Sequence, residues 1–142
     1  MILYLDTSSL VKLYVDEAGS DEVQGFVEEA STVTTSQVAY AEARSAFARR
    51  RRERALSPRG LAAAKRAFEA DWEHYVAVAV TRDRCREAGD LAERYRLRGF
   101  DAIHLASFAE VLRDLQGRTD VRFSSFDDRL NLAARRLSRA IG

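Results

Sequence analysis

The stretch that decides the fold opens the chain and reads Met1-Ile2-Leu3-Tyr4-Leu5-Asp6-Thr7-Ser8-Ser9-Leu10. Apolar residues without polar alternation predict a short strand that is buried on both faces, as in a parallel sheet. In an open α/β sheet the ligand site lies just beyond the carboxyl ends of the strands, which is where Asp6 falls. The hydroxyl residues after it predict the start of a helix with Ser8 or Ser9 as its N-cap. The alternative is that Asp6 is itself only a helix cap.

Strands and helices alternate along the rest of the chain. Further strands are predicted at residues 31–35, 76–80 and 121–123, where short β-branched or apolar runs stand between helical patterns. The predicted caps of the intervening helices are Ser20, Thr34 with Gln37, Ser57 before Pro58, Thr81 and, at a helix end, Gly99. This alternation predicts a parallel sheet that is covered by helices on both faces.

Composition limits the classes of protein to consider. A chain of 142 residues has the size of one ordinary domain, and a hydrophobic content of 46% with 32% charged residues is typical of a soluble globular protein. The single cysteine, Cys85, excludes an internal disulfide framework and a cysteine-based zinc site. No apolar run approaches the roughly 18 residues of a membrane span, and the N-terminal residues lack the basic segment and long apolar region that are typical of a signal peptide. We therefore expect a cytoplasmic protein without a membrane association.

Acidic residues recur where predicted strands end and where helices begin. Glu42 lies on the helix after the second strand, within the apolar stripe of that helix; the alternative is an exposed glutamate at the edge of the stripe. Asp101 stands at a helix start, where a simple N-cap explains it adequately. Asp127 and Asp128 follow the last strand, and either residue explains the cap of the terminal helix.

Taken together, the acids point to a metal site. Four carboxylates that meet at the carboxyl edge of one sheet repel one another unless a cation lies among them. Oxygen ligands without cysteine, and without a histidine pair at ligand spacing, favour Mg²⁺ or Mn²⁺ over zinc. Such a site polarises a phosphate oxygen and lowers the pKa of a bound water. The pattern therefore indicates hydrolysis of phosphodiester bonds.

Four segments of the chain resemble the four motifs of the PIN-domain ribonucleases, and within these the VapC-type toxins of toxin–antitoxin pairs. The segments stand in the expected order, and the resemblance extends over nearly the whole chain. They are Leu5–Tyr14, Glu42 in its alanine-rich helix, Phe100–Ala106 and Ser125–Leu130. The first and third are specific, whereas the second is a single glutamate and the fourth is short. The resemblance implies one PIN domain over residues 1–142, with a three-layer α/β fold whose central parallel sheet is flanked by helices.

The resemblance also implies an activity and a site. The activity is that of a metal-dependent endoribonuclease, and the alternative is a catalytically silent PIN module that binds RNA or an antitoxin. The implied acidic cluster is Asp6, Glu42, Asp101 and Asp127, with Asp6 and Asp101 as the main ligands of Mg²⁺ or Mn²⁺. Ser8 matches the small polar residue that helps to hold the first acid and its water. The implied partners are an RNA substrate, a cognate VapB-like antitoxin and a second copy of the chain in a homodimer.

Two assignments in the motifs have alternatives, namely the identity of the fourth acid and the role of His104. Asp127 is preferred over Asp128 as the fourth acid because it directly follows Ser125-Phe126 at the strand end. His104 lies three residues after Asp101 and suggests general acid–base work, but we expect it to have a packing or hydrogen-bonding role.

The basic run Arg49–Arg54 has three interpretations. It contacts phosphates, binds an acidic partner tail, or is a solvated helix end, where arginine is favourable in any case. Because Arg49 and Arg50 lie on the Glu42 side of the helix, RNA guidance is the leading functional interpretation.

Two other phosphate-handling folds fit the sequence less well. A haloacid-dehalogenase-like phosphatase needs a second aspartate two residues after the first, where Ser8 stands. A receiver domain needs an aspartate at the end of its middle strand, where Thr81 follows Val80.

Overall fold

The computed structural model describes all residues from 1 to 142 and contains a four-stranded sheet. The strands are β1 (Ile2–Leu5), β2 (Thr32–Ser36), β3 (Val76–Val78) and β4 (Val121–Ser124), in the order β3-β2-β1-β4. Every neighbouring pair is parallel, and Tyr4 of β1 lies opposite Thr34 of β2 and Phe123 of β4. The predicted parallel sheet is confirmed, with the opening strand in its interior.

Helices cover both faces of this sheet. They are α1 (Thr7–Val11), α2 (Ser20–Glu29), α3 (Val38–Arg52), α4 (Pro58–Trp72), α5 (Arg82–Tyr95), α6 (Gly99–Leu115) and α7 (Asp128–Ile141). The first four helices contribute to one buried apolar cluster and the last three to the other, so the fold has three layers. None of the helices combines the length and the apolar character that a membrane span requires.

β1 lies between the two cores because its side chains alternate in direction. Leu3 and Leu5 pack in one cluster with Phe68 of α4, and Tyr4 packs in the other with Phe108 of α6. Leu3, Tyr4 and Leu5 have no exposed surface, and full burial of such a side chain contributes about 1.5–3 kcal/mol. A strand with a core on each side needs no polar face, which explains the unbroken apolar run.

Some predicted helix ends are wrong because other contacts use the side chains in question. Ser20 does not cap α2, since its hydroxyl donates to the carbonyl of Val15 at 3.1 Å. Thr34 lies within β2 and donates to the carbonyl of Leu3 at 3.1 Å, so no capping box forms there. Gly99 is the first residue of α6 rather than the end of α5.

The predicted caps at Ser57 and Thr81 are confirmed. Each side-chain oxygen accepts a hydrogen bond from a backbone N–H three residues later, at 2.9 Å from Gly60 and 3.1 Å from Arg84. These two caps lie on exposed loops, where no group from another element offers the side-chain oxygen an alternative hydrogen bond.

Candidate active site

A polar cleft of about 440 Å³ opens at the carboxyl edge of the sheet. Asp6 directly follows β1, Glu42 lies on α3, Asp101 is in the first turn of α6, and Asp127 is the N-cap of α7. All four line this cleft, whereas Asp128 does not. The fold thus brings together acids that are up to 121 positions apart in the sequence (6 to 127).

Both oxygens of the Asp6 carboxylate have fixed donors. Its Oδ1 accepts from the hydroxyl of Ser8 at 2.7 Å and the backbone N–H of Ser9 at 3.0 Å, and its Oδ2 accepts from the hydroxyl of Ser125 at 2.5 Å. Asp6, and not Ser8 or Ser9, is therefore the N-cap of α1. The residue is only 3% exposed, so one carboxylate both caps the helix and forms the floor of the cleft.

Glu42 ends a chain of hydrogen bonds that starts in the core. Its Oε1 accepts from the hydroxyl of Thr7 at 2.6 Å and lies 2.9 Å from Nε2 of His104. Nδ1 of His104 lies 2.9 Å from the hydroxyl of Tyr4. When Tyr4 donates to Nδ1, a neutral His104 carries its proton on Nε2 and donates it to Glu42. The buried histidine thus has the hydrogen-bonding environment expected for it.

The pKa values of two acids respond to these surroundings in opposite directions. Burial, and then the charges of Asp127, Asp6 and Glu42, raise the pKa of Asp101 above its ordinary value, against an opposing effect of His104. Burial also acts to raise the pKa of Glu42, but the hydrogen bonds from His104 and Thr7 outweigh it and hold that pKa below its ordinary value. The carboxylates are therefore close enough to repel one another.

The basic side chains of the cleft fall into two groups. Lys12 and Arg50 are both paired with the carboxylate of Glu17, at 3.1 Å and 3.0 Å. Arg49 and Arg98 line the same cleft and have no carboxylate partner. Of the two arginines predicted to guide RNA, Arg50 is therefore held by an internal ion pair, and Arg49 remains available to an anion.

The cleft fits a hard divalent cation. Its lining contains five carboxylates and four basic side chains, which leaves one net negative charge. No group of three or more His, Cys, Asp or Glu side chains is arranged to hold a metal ion by itself. Mg²⁺ is commonly bound through one or two carboxylates while waters and substrate phosphates complete its shell. The hard oxygen donors and the raised pKa of Asp101 agree with that mode of binding.

Several residues of the cleft had no role in the sequence interpretation. Thr7 contacts Glu42, and Ser125 contacts Asp6. Both residues lie inside motif segments, and this location was the only indication of these contacts in the sequence. Glu17, Arg98 and Phe126 also line the cleft. Phe126 lies inside the fourth motif segment, whereas no local pattern distinguishes Glu17 and Arg98 from ordinary surface residues.

Comparison with known proteins identifies the family. The PIN-domain family model matches residues 3–136, a span that includes all four acids. The chain belongs to the PIN-domain family. Ribonuclease VapC49 of Mycobacterium tuberculosis (strain H37Rv) is 37% identical to this PIN-domain protein over 110 residues, which cover 78% of the chain and 76% of the relative. Ribonuclease VapC45 of strain CDC 1551 gives the same values.

A third relative covers almost the full length. Ribonuclease VapC46 of Mycobacterium tuberculosis is 32% identical over 139 residues, which cover 98% of the PIN-domain protein and 95% of the relative. The parallel sheet flanked by helices agrees with the PIN-like three-layer fold. These similarities place the protein with the VapC-type members of the family.

Proposed function

We propose that this PIN-domain protein is a VapC-type endoribonuclease that hydrolyses RNA phosphodiester bonds with the help of Mg²⁺ or Mn²⁺. The observation that carries the proposal is the convergence of Asp6, Glu42, Asp101 and Asp127 from four elements in one cleft. The raised pKa of Asp101 supports it, because neighbouring carboxylates contribute to that shift. The printed names of the relatives describe ribonucleases and support the same class of reaction.

In this proposal Asp6 and Asp101 are the ligands of the metal ion. A bound ion of this kind polarises a phosphate oxygen and lowers the pKa of a bound water. Ser8, Ser9 and Ser125 fix the orientation of the Asp6 carboxylate. Asp101 accepts none of the hydrogen bonds that hold Asp6 and Glu42 in the cleft, so in this proposal its oxygens bind the cation.

Glu42 has a different role from the two proposed ligands. Thr7 and His104 both donate to its Oε1, which leaves Oε2 for the cleft. Because the pKa of Glu42 is lowered, the carboxylate is charged at neutral pH, and we assign Oε2 to orienting the attacking water as a hydrogen-bond acceptor. In-line attack of that water would form a new bond to phosphorus and break the bond to the 3′ oxygen. That oxygen takes up a proton from solvent while the water loses one, so the products are a 3′-hydroxyl and a 5′-phosphate.

The partners belong to the same proposal. A VapC-type protein implies a cognate VapB-like antitoxin, an RNA substrate and a second copy of the chain, in the cytoplasm. Sedimentation equilibrium of the purified protein tests the homodimer: we expect twice the 16.0 kDa mass of one chain. A mass of one chain at all concentrations contradicts the homodimer and leaves the cleavage proposal to its own test.

A cleavage assay tests the activity. End-labelled RNA is incubated with the protein in chelator, in Mg²⁺ and in Mn²⁺, and the new ends are identified by their reaction with phosphatase and ligase. We expect cleavage only with metal, with 5′-phosphate ends. RNA that is bound but not cut under every condition supports the catalytically silent PIN module instead.

A further inference from the structure

Phe126 is an exposed aromatic residue at the edge of the cleft. Only three apolar residues line the cleft, and two of them, Val11 and Ala46, are buried at 3% and 7% exposure. Phe126 is 42% exposed. It is therefore the one substantial apolar surface that a ligand in the cleft meets, and the proposed reaction does not use it.

The ring of Phe126 is held in a defined position. The ammonium group of Lys12 lies over the ring, 4.5 Å from its centroid, and Glu17 fixes that lysine with an ion pair of 3.1 Å. Gly19 lies so close that an added Cβ would stand 2.6 Å from Cε1 of the ring. The backbone N–H of Phe126 donates to the hydroxyl of Ser8 at 3.0 Å, which links the ring position to the Asp6 environment.

The surroundings of this ring suit one kind of ligand. Arg49 and Arg98 line the same cleft without carboxylate partners. Two cationic side chains are therefore available to bind phosphates of an RNA chain that runs past the acidic residues. A fixed aromatic ring beside unpaired cations is the combination by which proteins bind single-stranded nucleic acid. In an A-form duplex the bases are stacked on one another and offer no free face to a side chain.

We propose that Phe126 is a stacking platform for an unpaired base next to the scissile phosphate, and that Arg49 and Arg98 bind neighbouring phosphates. The groups that this surface recognises are therefore one unpaired base and two phosphates of RNA, and this assignment rests on the proposed ribonuclease function. Glu17 and Lys12 are positioning residues, because they act on the ring and not on the RNA. The requirement for glycine at position 19 follows from the same arrangement.

Cleavage measured with the protein in excess separates binding from the chemical step. The half-saturating protein concentration and the maximal rate are determined for a single-stranded RNA oligonucleotide with wild type, Phe126→Leu and Phe126→Tyr. Leucine keeps apolar volume and removes the ring face, and tyrosine keeps the ring. Phe100→Leu is the matched control, since Phe100 is 58% exposed and adjoins Asp101 but does not line the cleft. Thermal melts verify that each variant is folded.

We expect Phe126→Leu to raise the half-saturating concentration by about 5- to 150-fold, which corresponds to the roughly 1–3 kcal/mol of one stacked base, with a far smaller change in the maximal rate. Phe126→Tyr, which keeps the ring, should raise this concentration much less than Phe126→Leu does, and Phe100→Leu should keep the wild-type value. The same sequence in a duplex should be a much poorer substrate for the wild type.

Two results overturn the stacking proposal while the ribonuclease function stands. One is an unchanged half-saturating concentration for folded Phe126→Leu, and the other is equal use of duplex and single strand by the wild type. A wild-type protein that cuts no RNA with any metal overturns the proposed function itself, and the stacking proposal with it.

Discussion

Among the single residues, Asp101 is the one whose surroundings most oppose its charge. Its pKa is raised by burial and by Asp127, Asp6 and Glu42, so the folded protein binds a proton there more readily than the unfolded chain does. The free energy of unfolding therefore falls as pH rises from the unfolded pKa of about 3.9 through the raised folded value. In a chelator, we expect Asp101→Asn to melt higher than wild type at neutral pH.

Melting curves at several pH values test this expectation. The difference in melting temperature should be largest near pH 7 and should shrink toward about pH 4, where the unfolded carboxyl is protonated as well. Mg²⁺ or Mn²⁺ should raise the melting temperature of the wild type by mass action and affect Asp101→Asn much less. Asp128→Asn is the control, because Asp128 lies outside the cleft. Superimposable curves for wild type and Asp101→Asn in every condition would refute the clustered acids.

Thr7 is the second residue with a measurable electrostatic effect. Its hydroxyl donates to Glu42 at 2.6 Å and helps to lower the pKa of that carboxyl. A lowered pKa stabilises the fold above the unfolded pKa, and this stabilisation is lost as pH falls through the folded value. Thr7→Val should therefore raise the pKa of Glu42 and reduce stability near neutral pH by about 1 kcal/mol.

A carboxyl NMR titration measures the pKa of Glu42 directly. Thr119→Val is the matched control, since Thr119 is exposed and far from Glu42 in the fold. A Glu42 pKa that stays the same in Thr7→Val contradicts the assigned hydrogen bond. If the loss of stability persists at acidic pH, the loss comes from packing and not from the charge of Glu42.

The sequence allowed the positions of the acids and the contact of Ser8 with Asp6 to be predicted, but not the other residues that hold the acids. Asp6, Glu42, Asp101 and Asp127 could be placed because strand ends and helix starts mark the edge of a parallel sheet. The contact between Ser125 and Asp6 spans 119 positions, and no local pattern encodes it. The ion pair of Arg50 with Glu17 also joins residues that are distant in the sequence. It distinguishes Arg50 from Arg49, although the two arginines look equivalent in the sequence.

Among the helices, α3 carries the basic run. Arg49 lines the cleft, whereas Arg52, three residues further along, is exposed and lies outside it. Loss of one phosphate contact lowers the slope of log affinity against log salt by about 0.7 for a single strand. We expect this reduction for Arg49→Ala and no change for Arg52→Ala, measured by RNA binding across a salt series. Equal slopes for both variants would assign the run to solvent or to a protein partner.

Replacement by alanine should change the free energy of unfolding in opposite directions at Gly19, the N-cap of α2, and at Gly25 within that helix. Gly19 is the N-cap with φ +93°, and an added Cβ would stand 2.6 Å from the ring of Phe126, so Gly19→Ala should cost about 1–2 kcal/mol. Gly25 lies within the helix and has nothing within 4 Å of an added Cβ. Gly25→Ala should therefore stabilise the protein by about 0.5–1 kcal/mol. Chemical denaturation measures both, and a Gly19→Ala variant as stable as wild type contradicts the close contact.

Element types were easier to predict from the sequence than element boundaries. The apolar and β-branched runs identified all four strands, and the unbroken apolar run of β1 reflects the burial of that strand on both faces of the sheet. Helix caps were predicted correctly at Ser57 and Thr81, which stand on exposed loops. The cap predicted at Thr34 was wrong because the carbonyl of Leu3 on the neighbouring strand accepts its hydroxyl proton, a contact that the local sequence does not show. The cap predicted at Ser20 was wrong because its hydroxyl donates to the carbonyl of Val15 in the preceding turn.

For the molecule as a whole, the sheet order determines where the chemistry lies. β1 stands between β2 and β4, so the residues that follow these three parallel strands meet at one edge. α6 begins at the same edge and adds Asp101. The cleft that results has one net negative charge, which a single divalent cation converts to a positive one. Metal binding and RNA binding are therefore expected to support each other.

The most direct test of the central claim is the rate of RNA cleavage by Asp101→Asn at saturating Mg²⁺, measured beside Asp128→Asn. The account predicts a loss of about 100-fold or more for Asp101→Asn, since removal of a metal ligand weakens a contribution of several kcal/mol to the barrier. Asp128→Asn should keep the wild-type rate. Cleavage by folded Asp101→Asn at a rate near that of wild type would contradict the account.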